Sequence, residues 1–305
     1  MNKYLNYLNE NNFCIFLFHG VISKKDYEVR NYNGKHLLKS NFINFLRNLV
    51  KLGNPISMDE VVYSINNNKF LPRNSFAITF DDGFENNYDI AAPILDYYNC
   101  PATFYVATSF IENNYMSWID QIELIIEKTI NKDLNLPWGN YHITNDYKSK
   151  VKLLEDIRFN VKNFNKILPI EIVQIIYDQL NTDIIYSGDD ELTKMMDWRQ
   201  VREISNHKLF TIGGHSHSHQ ILSFLDNNEM KKDIDKSFEL ISKNLKLKPR
   251  HYSYPEGLIH CFNENVINHL KSHGVVCAPS AIDGINNHMS DLFYLKRVNV
   301  NILED

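Results

Sequence analysis

The chain has 305 residues, with 32 Lys and Arg against 37 Asp and Glu, so its formal net charge is −5. This charge argues against a protein whose main partner is a nucleic acid or an anionic membrane surface, because both require an excess or a stripe of basic side chains. With 44% hydrophobic and 23% charged residues, the composition is that of a globular chain. The length alone fits two average domains or one β/α barrel.

The amino-terminal sequence MNKYLNYLNENN lacks the basic patch and following apolar run that a secretory signal needs. The first apolar run, residues 13–18, is far too short to span a bilayer. We therefore expect a cytoplasmic protein without a transmembrane segment. The four cysteines are scattered and form no C-x-x-C pair, which favours reduced, buried side chains over a zinc ribbon or a disulfide framework.

Short apolar runs alternate with amphipathic stretches in both end regions of the chain, which is typical of a parallel sheet covered by helices. The predicted strands are residues 13–18, 76–80, 102–106, 209–212, 251–254, 275–277 and 294–298. Two predicted helices begin with a capping box, in which a polar residue is followed three positions later by glutamate. One box is Ser57 with Glu60, and the other is Asp226 with Glu229.

The middle of the chain has a different pattern. Between Glu112 and Gln200 no segment indicates a strand. The stretches with helical apolar spacing are residues 118–130, 151–161 and 170–180. We interpret residues 112–200 as a helical insertion within one domain that spans residues 1–305, rather than as a second independent domain. Trp118 could present an aromatic wall to a ligand, although its spacing fits a core position better.

Two adjacent carboxylates, Asp81 and Asp82, directly follow the second predicted strand and precede Gly83. The carboxyl ends of parallel strands form the active face of β/α folds, so acids placed there are candidates for catalysis. A tight turn at Gly83 can bring both into one site with different tasks. The alternative is an ordinary turn or helix cap, because Asp-Asp-Gly is common turn chemistry.

Three histidines, His215, His217 and His219, alternate with serine just after the fourth predicted strand. On a helical turn His215 and His219 share a face and can bind one divalent ion. In an extended conformation all three share a face, so the sequence does not settle which pair binds. Two histidines and one carboxylate leave positions for water and substrate, as in catalytic metal sites, and a second carboxylate could accept the proton of that water.

These two segments, residues 79–83 and 215–219, resemble the first and second motifs of the polysaccharide deacetylase family, the NodB-homology domain of carbohydrate esterase family four. The resemblance implies an α/β fold, a distorted (β/α)7 barrel with the helical insertion between the two motifs. It also implies metal-dependent removal of an N-acetyl, less often an O-acetyl, group from a sugar. Residues 1–305 would then form one catalytic domain, in which we expect the insertion to select the substrate.

The resemblance also implies roles for single residues. It makes Asp81 the catalytic base and Asp82, His215 and His219 the ligands of one divalent ion, and it gives His217 no role. Zinc is the first expectation for the ion, and cobalt, nickel and iron accept the same nitrogen and oxygen ligands.

Residues 252–257 resemble the third motif of the family, in which a backbone N–H helps to hold the oxyanion. Glu256 stands where tyrosine is usual, and Ser253 stands where many members have arginine. A backbone donor does not depend on the side chain, so the role can survive. We expect Glu256 to turn away from the oxyanion or to contact substrate hydroxyls, with Tyr254 and Pro255 beside it in the substrate-binding segment. An ordinary strand-to-loop turn is the alternative.

The general acid and a terminal arginine match the family less directly. His19, after the first predicted strand, resembles the histidine of the amino-terminal element in the circularly permuted subgroup, which implies that it protonates the leaving amine. His288 is the fallback, and a non-catalytic strand-end histidine is the alternative. Arg297 resembles the arginine of the family's terminal segment and could pair with Asp81 to keep it ionised, unless it is a surface arginine.

Taken together, the sequence predicts a metal-dependent hydrolase that removes an N-acetyl group from a sugar or a sugar-containing precursor in surface polysaccharide or glycoconjugate biosynthesis. The alternatives are a non-catalytic glycan-binding module on the same fold and a metallohydrolase of a non-sugar amide. The sequence does not identify the sugar, its carrier or the oligomeric state.

Overall fold

The structure is a computed structural model that describes residues 2–164, 168–183 and 185–301, without the side chains of residues 2 and 3. The strands in these ranges are β1 Phe13–Phe18, β2 Gly20–Ile22, β3 His36–Leu38, β4 Asn54–Pro55, β5 Ser75–Phe80, β6 Ala102–Val106, β7 Lys132–Leu136, β8 Gly139–Ile143, β9 Phe210–Gly214 and β10 Val298–Asn299.

The α-helices in the same ranges are α1 Asn2–Leu5, α2 Lys39–Leu52, α3 Met58–Asn66, α4 Ala92–Tyr97, α5 Thr108–Asn113, α6 Trp118–Lys128, α7 Tyr147–Asn163, α8 Pro169–Leu180, α9 Trp198–Ser205, α10 Asn227–Leu245 and α11 Glu264–Ser272. Both predicted capping boxes are formed, at Ser57 before α3 and at Asp226 before α10, so the predicted starts of these helices are confirmed.

The central sheet is parallel and has the order β10-β1-β5-β6-β9, with β4 also paired to β5. Every residue of β1, β5 and β6 is buried. A strand that is covered on both faces has apolar residues at nearly every position, so it appears in the sequence as a continuous apolar run. The sequence predicts these three strands well for this reason. Phe18 pairs with Phe80, so β1 and β5 end level with each other at the carboxyl edge of the sheet.

Beyond β9 the barrel continues through single backbone bridges. Gly214 pairs with Tyr252, and His251 pairs with Cys277. The predicted strands at residues 251–254 and 275–277 are therefore extended segments rather than regular strands. One physical reason is that the Ser253 carbonyl accepts a hydrogen bond from the His215 ring instead of from a neighbouring strand. This irregular side is the distortion expected of the α/β barrel, and the fold class agrees with the prediction.

The expectation that residues 112–200 contain no strand is wrong. Strands β7 and β8 form an antiparallel hairpin in which Leu134 and Leu136 are buried while the other residues of β7 are exposed. Two inward leucines give too short an alternation to identify a strand from sequence. The hairpin is held by α8, where the Gln179 side chain accepts from the backbone N–H of Asn135 and donates to its carbonyl.

The three long helices of the insertion, α6, α7 and α8, pack with the hairpin around an apolar cluster of their own, to which Val29 also contributes. A separate and larger cluster lies between the sheet and its covering helices. All four cysteines are free and buried, as predicted. None of the helices in the described ranges is long and apolar enough to cross a membrane.

Candidate metal centre and active site

The carboxyl ends of neighbouring strands bring the predicted site residues together. His19 follows β1, Asp81 and Asp82 follow β5, and His215 follows β9, while Arg297 precedes β10. A cavity of about 180 Å³ opens at this edge. The polar and charged side chains that line it come from His19, Asn33, Lys35, Asp81, Asp82, Ser117, Arg158, Lys162, His215, His219, Glu256, Asn299 and Asn301.

Asp82, His215 and His219 converge on one point. Asp82 Oδ1 lies 3.4 Å from His215 Nε2 and 3.2 Å from His219 Nε2, and the three ligand atoms lie within 4.8 Å of one another. Asp82 Oδ1 is buried and accepts no hydrogen bond from the residues that the structure describes, an arrangement that is costly without a cation. The three residues therefore fit a divalent metal ion.

The environment of this trio prepares it for ligation. His215 Nδ1 lies 2.8 Å from the Ser253 carbonyl and can only donate to it, which leaves the lone pair on Nε2 for a metal. Burial raises the pKa of Asp82, but the charges of Lys35 and then His219 oppose it and hold the pKa well below the ordinary value. The carboxylate is therefore ionised.

The segment from His215 to His219 is neither a helical turn nor an extended strand. Ser216 and His219 have φ of 66° and 56°, in the left-handed region, and this compact loop brings His215 and His219 to the same point. His217 is directed elsewhere, with its Nδ1 3.0 Å from Thr108 Oγ1. The structure thus selects the His215–His219 pair that the sequence by itself left open.

Asp233 of α10 holds this loop in place. Its carboxylate accepts hydrogen bonds from the backbone N–H of His217 at 2.7 Å and from that of Ser218 at 2.9 Å. Sequence reasoning missed Asp233, because an aspartate within an ordinary amphipathic helix gives no local signal of a partner outside that helix. Through these contacts it positions the loop that carries His215 and His219.

Asp81 is paired with Arg297, as the resemblance implies. Arg297 Nη1 and Nη2 donate to the two Asp81 oxygens at 2.8 and 2.7 Å, and Ser253 Oγ lies 3.1 Å from Oδ2. Arg297 is only 1% exposed, so the alternative of a surface arginine does not apply. Burial raises the pKa of Asp81, but Arg297 and then His215 oppose it and bring the pKa below its ordinary value. Asp81 is therefore ionised and able to accept a proton.

His19 lines the cavity, and its Nδ1 is buried with no hydrogen-bond partner among the described residues. Burial lowers the pKa of His19 to about 4, against the opposing charge of Asp82. The ring is therefore neutral at pH 7. His288 is not brought to this site: it packs on Phe70 with ring centroids 4.4 Å apart, close to the amino end of β1, where Phe13 pairs with Asn286.

The segment that resembles the third motif, residues 252–257, has side chains both in the core and at the cavity. The Tyr254 ring stacks on Phe262 with ring centroids 3.9 Å apart, and its hydroxyl donates to the Phe293 carbonyl, so this side chain faces the core. Pro255 is buried, and neither residue is among those that line the cavity. Glu256 lines the cavity and forms an ion pair with Lys162 of α7. Burial raises the pKa of Glu256, but Lys162 and then His219 lower it to about 2.

The insertion supplies one wall of the cavity, through Ser117, Trp118 and Ile119 around the start of α6 and through Arg158 and Lys162 of α7. From outside the insertion, Lys35 contacts both Asp82 and Asp120 at 3.3 Å. Sequence reasoning missed Lys35, Arg158 and Lys162, because an isolated basic residue in a loop or on a helix carries no local signal of its partner.

An α/β barrel with a carboxylate and two histidines at the carboxyl edge of its sheet, beside a second, arginine-paired carboxylate, has the architecture of a metal-dependent hydrolase. Residues 68–278 match the family model described as polysaccharide deacetylase. The chain belongs to this family and is a carbohydrate deacetylase. The match includes the first three motifs, whereas His19 and Arg297 lie outside the matched residues.

Solved structures show the same fold at low sequence identity. A deacetylase from Streptococcus pyogenes, PplD, in complex with acetate has a TM-score of 0.63 at 15% identity, over 96% of this chain and 93% of that chain. IcaB from Ammonifex degensii has a TM-score of 0.61 at 15% identity, over 96% and 94%. A de-N-acetylase from Aggregatibacter actinomycetemcomitans has a TM-score of 0.59 at 18% identity, over 94% of this chain and 94% of that chain. No curated protein matches the sequence.

Proposed function

We propose that the chain hydrolyses the N-acetyl group of a sugar with Asp81 as the base and with a divalent ion held by Asp82, His215 and His219. The observation that carries the proposal is that the two neighbouring carboxylates have different partners. Asp82 faces two imidazole nitrogens, while Asp81 is held by Arg297 and Ser253. One carboxylate is thus free to ligate and the other to accept a proton.

A divalent ion held by Asp82, His215 and His219 would lower the pKa of a nearby water to about 7 and would polarise a carbonyl oxygen. Zinc is our first expectation, and cobalt, nickel or iron suit the same two nitrogens and one oxygen. His215 and Asp82 are almost fully buried, with side chains 2% and 4% exposed, so their orientation is fixed before substrate binds.

Asp81 accepts the proton of the attacking water. Arg297 keeps the carboxylate ionised until that moment, and the pair cannot rotate freely because Arg297 Nε also donates to the Ser280 carbonyl. The backbone N–H of Glu256 is our candidate donor to the oxyanion. Glu256 has a left-handed backbone conformation, with φ of 60°. The ion pair with Lys162 offsets the charge of the Glu256 carboxylate, which would otherwise repel an oxyanion.

His19 is our candidate for the group that delivers a proton to the leaving amine. Because its ring is neutral at pH 7, it must first receive a proton, and Asp81, which takes one from water, lines the same cavity. We also propose that the substrate is an N-acetylated sugar bound beneath the insertion. In support, one structural relative is described as a de-N-acetylase and another was solved with acetate.

The test is acetate release by purified protein loaded with zinc or cobalt, with N-acetylated sugars and oligosaccharides, nucleotide sugars and a simple aryl acetate as substrates. Release from an N-acetylated sugar supports the proposal. Release from none of them, together with tight glycan binding, would favour a binding module, and release from the aryl acetate alone would favour a hydrolase of other acyl compounds. Asp81→Asn should keep the metal and lose turnover by roughly 10²- to 10⁴-fold, whereas His215→Ala should lose both.

A cytoplasmic location stays a prediction. Cell fractionation with antibody detection tests it, and recovery of the protein outside the cytoplasm would contradict it.

A further inference from the structure

A second group of metal-ligating side chains lies apart from the active-site cavity. Asp235 is on α10, His269 is on α11, and His273 directly follows α11 as its carboxyl-terminal cap. Nε2 of His269 and Nε2 of His273 each lie 2.7 Å from the same oxygen, Oδ1 of Asp235. The three ligand atoms lie within 4.8 Å of one another.

Helix geometry aims both rings at this point. His269 and His273 are four positions apart, so their side chains lie one above the other on the same face of α11. The His273 ring stacks on the ring of Phe238 of α10, with ring centroids 4.5 Å apart. The helix ends here, with Gly274 at a φ of 88°, and the carboxyl end of a helix favours a cation.

The surroundings suit a cation in two further ways. Two of the neighbouring lysines are engaged elsewhere, Lys236 with Glu239 and Lys271 over the ring of Phe293. The side chains of His269 and His273 are 15% and 26% exposed, whereas that of Asp235 is 53% exposed. The histidines are thus held by packing, while the carboxylate side is open for an ion to enter and for water to complete its coordination.

We propose that Asp235, His269 and His273 form a second divalent metal site, which takes zinc or another first-row ion that prefers imidazole with a carboxylate. Tetrahedral ligation with bonds of about 2.0–2.1 Å separates ligand atoms by about 3.3 Å, so the trio opens by a few tenths of an ångström to admit the ion. The site is independent of catalysis and goes beyond the proposed function.

An ion at this second site would connect two helices, α10 and α11. Asp233, on the same helix and two positions before Asp235, holds the loop that carries His215 and His219. An ion at the second site fixes α10 to α11 and thereby steadies the helix that supports the active-site loop. We therefore expect the ion to raise the melting temperature without entering the chemical step.

The experiment measures zinc bound per chain after removal of metal with a chelator and dialysis against zinc. Wild type should bind about two equivalents. Asp82→Ala should bind about one, at the second site, and His273→Gln should bind about one, at the active site. Glutamine can still donate a hydrogen bond to Asp235, so His273→Gln preserves the fold while removing the imidazole ligand. The matched control is His207→Gln, because His207 contacts Asp96 in a simple pair.

A second readout separates a metal site from a hydrogen-bonded cluster. In the Asp82→Ala background, zinc should raise the melting temperature by a few degrees, and the further change His273→Gln should abolish that rise. Wild type with a single equivalent, or Asp82→Ala with none, would show that the trio is a hydrogen-bonded cluster only. A second equivalent that persists in His273→Gln would place the extra ion elsewhere and overturn the proposal. Neither readout depends on deacetylase activity.

Discussion

Asp81 and Arg297 are 216 positions apart in the sequence, yet both oxygens of the Asp81 carboxylate accept hydrogen bonds from the Arg297 guanidinium. Strand order creates this contact, because β10 follows Arg297 and pairs with β1, and β1 pairs with β5, which ends at Phe80, directly before Asp81. The pair is buried, so neither partner can lose the other without leaving an uncompensated charge.

Replacing Arg297 should therefore affect both stability and turnover. In Arg297→Met, burial acts on Asp81 without the opposing charge of Arg297, so the pKa of Asp81 rises and a smaller fraction of the carboxyl is ionised and able to accept a proton. We expect the free energy of unfolding to fall by about 3–5 kcal/mol and kcat to fall by roughly 10²-fold, with the active-site metal retained. Arg297→Lys keeps the charge but loses the two parallel hydrogen bonds, and should be intermediate. Urea unfolding, metal content and kcat check this, and a folded Arg297→Met with normal kcat would contradict it.

The role of His19 can be tested through the leaving group. An amine leaves only after protonation, whereas the phenolate of an activated aryl acetate leaves without it. His19→Ala should lower kcat/KM for an N-acetylated sugar by roughly 10²-fold or more, and for the aryl acetate by less than about 10-fold. His288→Ala is the matched control, because His288 lies away from the cavity, beside Phe70. Equal losses on both substrates would indicate a structural role for His19.

Asp233 should control metal affinity without touching the metal. Asp233→Asn weakens the hydrogen bonds to the backbone of His217 and Ser218, so the loop between the two histidine ligands becomes looser. We expect the zinc concentration for half-maximal activity to rise about 10- to 100-fold, with kcat at saturating zinc largely kept. Glu239→Gln, an exposed change on the same helix, should leave both values unchanged. An unaltered zinc requirement in Asp233→Asn would show that the loop holds its shape unaided.

The ion pair between Glu256 and Lys162 should make stability depend on pH. The pKa of Glu256 is about 2, below its ordinary value of 4.5, so the stabilisation is complete above pH 4.5 and is lost as the pH falls towards 2. In Lys162→Met, the lysine charge no longer offsets the effect of burial on Glu256. The ionised Glu256 carboxylate then destabilises the folded state. We expect a loss of about 1–3 kcal/mol at pH 7 that shrinks below pH 4.5.

Urea unfolding at pH 7 and pH 3 measures this difference. Adding Glu256→Gln to Lys162→Met should recover part of the lost stability at pH 7, because the uncompensated charge is removed. Lys236→Met, which breaks an exposed pair with Glu239, is the control and should cost less than about 1 kcal/mol at either pH. A Lys162→Met difference that does not change with pH would mean that packing, rather than charge, accounts for it.

The sequence by itself determined the elements whose signals are local. Strands β1, β5 and β6 are buried throughout, so their apolar runs identify them, and capping boxes mark the starts of α3 and α10. Asp81, Asp82, His215 and His219 follow strands directly and lie within short motifs. The hairpin at β7 and β8 was missed because only two of its β7 side chains, Leu134 and Leu136, are buried.

The tertiary structure decided which of these residues meet and which others join them. Left-handed backbone at Ser216 and His219 excludes His217 from the trio, a choice that the sequence pattern alone could not make. Lys35, Asp233 and Lys162 reach the site from a loop and from two helices far away in the chain. The physical reason is that their roles come from charges and hydrogen bonds across long sequence separations, which exist only after strand order and helix packing have placed both partners in one buried volume.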